Sequence, residues 1–101
     1  MNENIKDGDL ITLKLASGEE VIANYKGGTD SHVSIEKALV LMQGPQGLAF
    51  GTWMATAKQY EPINISKDNI IAACQINDKI REEYKRVFST IKTPAKPSII
   101  T

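Results

Sequence analysis

The residues best suited to chemistry in this chain stand together in the stretch GGTDSHVSI, which runs from Gly27 to Ile35. It contains the chain's single histidine, His32, directly after Asp30 and Ser31. These are the residue types of a nucleophilic triad, but adjacent residues rarely supply one, because its three roles converge from separate elements. The same types after a double glycine also make an ordinary turn. The stretch alone therefore leaves open whether it catalyses, binds or only reverses the chain.

The single cysteine, Cys74, lies in the apolar segment IIAACQI. An apolar strand favours a small buried hydrophobic side chain over a nucleophile paired with His32. A structural zinc site needs about four cysteine or histidine ligands, and this chain has two such residues in total. The turn sequence GPQG lacks the lysine and the following helix of a phosphate-binding loop. We therefore expect no catalytic residue, no metal and no cofactor, and the chain is not expected to be an enzyme.

Composition and charge indicate a single globular domain. Of the 101 residues, 42% are hydrophobic and 24% are charged, close to the averages for folded proteins. We expect no secretory signal and no membrane span, and with one cysteine we expect a cytoplasmic location. The formal net charge is zero, but the segment 75–101 has six basic residues against three acidic ones. That excess suits either a solvated helix face or a surface for an anionic partner.

Short alternating segments separated by turn residues predict strands over most of the chain. LITLKL and EVIANY form a hairpin about Gly18, and HVSIEKALVLMQ forms a third strand that ends at the Gly44–Gly47 turn. LAFGTWMATAKQYEPI, from Leu48 to Ile63, predicts one long strand that bends at Gly51, and NIIAACQI predicts a fifth. Five strands with no helix between them favour a small antiparallel barrel.

The segment after the strands has helical periodicity. Six apolar residues fall on one stripe: Ile76, Ile80, Tyr84, Val87, Phe88 and Ile91. Asn77 or Asp78 is a suitable N-cap. The sequence therefore predicts a barrel over 8–76, a C-terminal amphipathic helix of the same domain over 77–92 that packs on one end of the barrel, and a flexible tail over 93–101.

Two stretches resemble the motifs of the Sm-like family, whose members are small SH3-like barrels that assemble into rings and bind RNA. The first is LITLKLASGEEVIANYKGGTDSHVSIEKALVL, in which Gly18 falls on the family's turn glycine, Asp30 on its aspartate and Val33 on its hydrophobic position. The second is ISKDNIIAAC. The resemblance covers residues 8–76, and with its C-terminal helix the chain looks like the divergent short Sm-like proteins carried by cyanophages.

The resemblance implies a mainly β fold, namely a five-stranded antiparallel SH3-like barrel followed by the helix, with an RNA-binding site at the pore of a ring. The residues that it assigns to this site are Asp30, His32, Ser34, Ser66, Lys67 and Asp68. His32 takes the position whose ring stacks on a base, and Ser34 replaces the asparagine that reads the base edge. Ser66 replaces the arginine that covers the other face of the base, and Lys67 replaces a glycine.

The implied partners are the chain itself, in a cyclic homo-oligomer, and single-stranded RNA, with no membrane; for a protein of phage origin the location is the host cytoplasm. A second function stays open, because Ser66 offers a base neither a plane nor a charge. In that alternative the chain forms a structural or adaptor ring that binds protein and has lost the RNA-binding site. Large apolar side chains of the strands are expected in the core or at the ring interface: Tyr25, Met42, Leu48, Phe50 and Trp53.

Overall fold

The computed structural model describes residues 4–45, 47–58 and 61–91. Within them, six strands precede one helix: β1 (Leu10–Leu15), β2 (Glu20–Gly28), β3 (His32–Gly44), β4 (Gly47–Thr52), β5 (Ile63–Ser66) and β6 (Ile70–Gln75), then α1 (Asp78–Ile91). A 3-10 turn, Lys67–Asn69, joins β5 to β6. The strands pair antiparallel in the order β4-β3-β2-β1-β6, with β5 beside β3. The prediction of a mainly β, antiparallel fold with a C-terminal helix is confirmed.

The β1–β2 hairpin forms where the sequence pattern predicts it. Leu13 pairs with Val21 and Lys14 with Glu20, around a turn in which Gly18 takes a φ of +101°. That left-handed conformation is costly for any residue that carries a Cβ. Every second side chain of a strand points to the same face of the sheet. On one face these side chains, together with Ile5, form the inner cluster: Ile11, Leu13, Leu15, Val21, Ala23, Val33, Ile35 and Ile65.

β3 is a strand of 13 residues that bends at Lys37, whose φ of 54° lies in the left-handed region. Its pairing with β2 shifts at the same place, from Asn24 opposite Glu36 to Ile22 opposite Leu39. On its other side, the first half of β3 pairs with β5 and the second half pairs with β4. The bend therefore separates the strand into two parts with different partners.

The single long strand predicted from Leu48 to Ile63 is wrong. The structure has two strands in its place, with β4 ending at Thr52, a positive φ at Met54, and β5 beginning at Ile63. A partner strand cannot follow β3 through its bend with an unbroken ladder of hydrogen bonds, so the partner divides in two. Within the described ranges the sheet therefore has six strands rather than five and is not closed, which corrects the predicted five-stranded barrel to an open sheet.

The helix α1 packs on the face of the sheet opposite to the inner cluster. It agrees with the helix predicted over 77–92, and Asn77 is its N-cap, since the Asn77 side-chain oxygen accepts a 2.8 Å hydrogen bond from the Ile80 amide. The helix cluster consists of Leu10, Ile22, Leu39, Ile76 and Tyr84, with Leu41, Phe50, Ile80 and Val87 partly buried against it. These strand residues alternate with those of the inner cluster, so α1 covers a sheet face rather than one end of a barrel. The side chains of the last two stripe residues, and the predicted tail over 93–101, lie outside the described residues.

The prediction that Cys74 is buried is wrong, because its side chain is exposed. The strand β6 stands at the end of the strand order, and its neighbour among the described strands is β1. Alternation directs Ala73, and not Cys74, toward the inner cluster. An apolar segment at a sheet edge therefore buries only part of its side chains.

The large apolar side chains of the strands divide between the core and the surface. Tyr25 and Trp53 pack against the inner cluster, and Phe50 packs against the helix cluster. Met42 and Leu48 are instead exposed. Their expected place at a ring interface stays a prediction.

Candidate functional site

The turn between β2 and β3 determines where His32 stands. The Thr29 hydroxyl oxygen accepts hydrogen bonds from the amides of Ser31, at 3.3 Å, and His32, at 3.1 Å. The Thr29 amide in turn donates to the His32 carbonyl oxygen at 2.8 Å. These three bonds close a short loop with Asp30 exposed at its tip. His32 thereby becomes the first residue of β3.

Gly28 allows the start of β3 to approach the end of β2. A Cβ on Gly28 would lie 2.5 Å from the His32 carbonyl oxygen and 3.2 Å from the Val33 Cα. Both are backbone atoms, so neither can move aside by a change of rotamer. A larger residue at this position would displace the strand that carries His32.

The pairing of β3 with β5 brings together the two segments that the sequence assigned to the site. His32 pairs with Ser66, and Ser34 pairs with Asn64. The residues between them, Val33 and Ile65, are buried in the inner cluster. Because side chains alternate along a strand, the four polar side chains share the opposite face of the sheet.

The 3-10 turn after β5 packs against the β2–β3 turn. The Lys67 amide donates a 2.8 Å hydrogen bond to the Ser31 carbonyl oxygen. The Ser66 hydroxyl oxygen accepts a bond of 3.3 Å from the Asp68 amide and so caps the 3-10 turn. Ser66, Lys67 and Asp68 therefore stand beside the loop that carries Asp30, and the contact of Lys67 is made by its backbone.

An open cavity of about 340 Å³ lies on the polar face of these strands. It is lined by Lys26, Gly28, Thr29, His32, Ser34 and Asn64. Of the six residues predicted for the site, His32 and Ser34 are in the lining. Asp30, Ser66, Lys67 and Asp68 are their neighbours in the loop, across the strand pair and in the 3-10 turn.

Lys26 and Asn64 are lining residues that the sequence reasoning missed. Asn64 stands between Ile63 and Ile65, so strand alternation alone would have turned it the same way as Ser66. Lys26 precedes Gly27, which has a φ of +94° and lies where the β2–β3 register shifts. A bulge of this kind is hard to place from sequence, because it depends on the partner strand.

Two hydrogen bonds order the polar side chains of the cavity. The Ser34 hydroxyl donates to Asn64 Oδ1 at 2.7 Å. The Ser31 hydroxyl lies 2.8 Å from His32 Nδ1, which restrains the imidazole. The His32 side chain is otherwise exposed. The site thus combines an accessible aromatic plane, a lysine and a hydroxyl–amide pair.

The cavity and α1 lie on the same face of the sheet. Asn24 lies two residues before Lys26 on β2, and its side-chain nitrogen donates to the Tyr84 hydroxyl oxygen at 3.4 Å. Burial raises the pKa of the Tyr84 hydroxyl, and the charge of Glu36 raises it further. The phenol therefore stays protonated at neutral pH and keeps its ability to donate a hydrogen bond.

Comparison with known sequences identifies no relative of this chain. The chain matches no protein-family model and no curated protein sequence. Within the described part of the chain, no three His, Cys, Asp or Glu residues are grouped so that they could hold a metal ion. In the same residues, no helix is long and apolar enough to cross a membrane.

Proposed function

We propose that the protein is an Sm-like, ring-forming protein that binds single-stranded RNA, with one base at each copy of the cavity beside His32. The observation that carries this proposal is the lining of the cavity. An exposed imidazole, a lysine and the hydrogen-bonded Ser34–Asn64 pair line one open pocket. The proposal includes no chemical step and no cofactor.

The His32 ring supplies the surface on which a base would stack. Unpaired RNA bases stack on aromatic side chains, histidine included, and each such contact stabilises binding by about 1–3 kcal/mol. The Ser31 hydroxyl holds one edge of the ring and leaves its faces accessible. The exposed Lys26 would place a positive charge near the phosphates on either side of that base.

The outer strands β4 and β6 supply the surfaces for ring assembly. Each ends the strand order, so one side of each strand has no partner among the described residues, and free N–H and C=O groups of this kind pair readily with another chain. Leu48 on β4 is 55% exposed, and Ile71 on β6 is 66% exposed. Pairing β4 of one copy with β6 of the next would cover both side chains, and repetition of that contact closes a ring.

The residue opposite His32 limits the strength of a single site. Ser66 stands there, and its hydroxyl group already caps the 3-10 turn. A base would therefore stack on one side only. Affinity would come from several cavities on one ring that bind the same strand, since linked sites raise the effective concentration of one another.

Two measurements test the proposal. Light scattering after size-exclusion chromatography should give a mass several times the 11.1 kDa of one chain. Fluorescence anisotropy with short oligouridine and oligoadenosine should show binding that weakens as salt is raised. His32→Ala should weaken it by about tenfold, whereas His32→Phe keeps an aromatic plane and should retain it. A clean single-chain mass would overturn the ring, and indifference of the wild-type protein to both RNAs would overturn RNA binding.

A structural or adaptor ring that binds protein is the second candidate function. The position of Ser66 favours it, because this residue caps the 3-10 turn and offers a base no plane on which to stack. This candidate predicts assembly in light scattering together with no binding of either RNA. The ultraviolet spectrum of the freshly purified ring gives a quick discrimination, since carried-over RNA would shift it toward that of nucleic acid.

A further inference from the structure

The hydroxyl group of Tyr84 joins α1 to both strands that lead to the cavity. It donates a 2.7 Å hydrogen bond to the Lys37 carbonyl oxygen on β3, and it accepts one of 3.4 Å from the Asn24 side-chain nitrogen on β2. Asn24 is itself paired with Glu36, the residue before Lys37. One group of the helix therefore holds β2 and β3 together at a single level of the sheet.

The segment of β2 just beyond this contact contains a bulge. The pairing of β2 with β3 shifts between Tyr25 and Gly28, and Lys26, which lines the cavity, lies within the shift. A bulged segment is not fixed by a regular ladder of hydrogen bonds, so the place of Lys26 depends on what holds the two ends of the bulge. At one end the Thr29 hydroxyl holds the turn. At the other end stands the strand segment that Tyr84 holds.

We propose that Tyr84 is a positioning residue for the cavity, because its hydroxyl group fixes the end of β2 next to the bulge and so sets the place of Lys26. This inference rests on the proposed RNA-binding function and adds the part that α1 takes in it. Tyr84 is only 4% exposed and is not among the residues that line the cavity. It therefore acts on RNA through Lys26 and not by contact.

Tyr84→Phe tests the proposal by two measurements, both made where urea curves show the variants to be folded. In the RNA-free protein, amide hydrogen exchange over residues 24–28 should be faster than in the wild type, because the bulge has lost one of its supports. Fluorescence anisotropy should show oligouridine bound about threefold more weakly, as expected for one exposed charge contact. The slope of log K against log salt should fall by up to about 0.7, the contribution of one phosphate contact.

Ile11→Val is the matched control for a general loss of stability. Ile11 is fully buried in the inner cluster, where this substitution is destabilising, and it does not line the cavity. The control should change neither the exchange over residues 24–28 nor the affinity for oligouridine. Equal changes in Tyr84→Phe and Ile11→Val would overturn the positioning role.

A double-mutant cycle shows whether Tyr84 acts through Lys26. In the Lys26→Gln background, Tyr84→Phe should cause no further loss of affinity, because the charge that it positions is already gone. A second loss of the same size would overturn the proposal, and so would unchanged exchange and affinity in Tyr84→Phe alone. If the wild-type protein binds no oligouridine, the proposed function is overturned, and the exchange measurement by itself decides whether Tyr84 holds the bulge.

Discussion

The Tyr84 hydroxyl, on helix α1, donates a 2.7 Å hydrogen bond to the backbone carbonyl of Lys37, the residue at which β3 bends. A non-glycine residue in the left-handed region costs about 1–2 kcal/mol, so the bend needs support from its surroundings. Tyr84 supplies part of it and is itself only 4% exposed. The helix thus contacts β3 at its bend. On one side of the bend β3 pairs with β5 and carries His32, and on the other side it pairs with β4.

Tyr84→Phe should destabilise the fold, although the substitution preserves the packing of the aromatic side chain. It removes the donor to Lys37 and the acceptor for Asn24, and we expect a loss of about 1 kcal/mol or slightly more in the free energy of unfolding. Urea denaturation measures it. Tyr25→Phe is the control, because Tyr25 packs against the inner cluster and should change stability by less than about 0.5 kcal/mol. Equal effects of the two variants would contradict the role given to the Tyr84 hydroxyl.

Alkaline pH should weaken the fold through the same group. The pKa of Tyr84 is raised in the folded chain above its ordinary value of 10.0, so the folded state holds the proton more tightly than the unfolded state does. The stabilisation is fully present below that ordinary value and is lost as pH rises beyond it. Urea midpoints at neutral and strongly alkaline pH should therefore differ more for the wild type than for Tyr84→Phe. A decline of equal size in both proteins would contradict this.

The sequence pattern correctly predicted the β1–β2 hairpin and α1, because both depend on residues that are close together in the sequence. The β1–β2 hairpin has alternating side chains and a glycine at a φ of +101°, and α1 has an N-cap and an apolar stripe. The division of β4 from β5 was missed because it follows from the bend at Lys37, which no local signal marks. Cys74 was misplaced for a similar reason, since the burial of β6 depends on its edge position in the sheet.

The candidate site shows the same limit. The loop around His32 and the segment around Ser66 were both assigned from sequence, through resemblance to a family. Asn64 is hydrogen-bonded to Ser34, from which it is separated by 30 positions in the sequence. The contact can be inferred only once the pairing of β5 with β3 is known. Lys26 enters the cavity through a shift of register in β2. Residues positioned by long-range pairing are the ones that sequence pattern leaves out.

Gly28→Ala should destabilise the β2–β3 turn. The new Cβ would meet the His32 carbonyl oxygen at 2.5 Å, and overpacking of this kind costs about 1–3 kcal/mol. Gly44→Ala is the matched control, since its Cβ would lie in ordinary contact, 3.7 Å from the Gly47 carbonyl oxygen. Thermal or urea denaturation should separate the two variants, and equal stability would show that the backbone around His32 yields more easily than its geometry indicates.

Ile71→Lys should break the proposed ring into single chains. A charge at Ile71, an exposed residue of β6, opposes edge-to-edge pairing, and Leu48→Lys should do the same from the other edge. Met54→Lys is the control, because Met54 is also an exposed apolar side chain, 48% accessible, but lies outside the paired strands. Light scattering should report 11.1 kDa for the two edge variants and the wild-type mass for the control. Intact assembly in both edge variants would place the interface elsewhere.

Lys26→Gln should reduce the salt dependence of the proposed RNA binding more than Lys67→Gln does. Lys26 lines the cavity, whereas Lys67 contacts the β2–β3 turn through its backbone amide, which donates to the Ser31 carbonyl oxygen. Each phosphate contact of a single strand contributes about 0.7 to the slope of log K against log salt, so the Lys26 variant should lose about that amount per occupied site. Lys14→Gln is the control, because Lys14 Nζ bonds the Gly18 carbonyl at the other hairpin. A larger loss in Lys67→Gln would move the phosphate path from the cavity to the 3-10 turn.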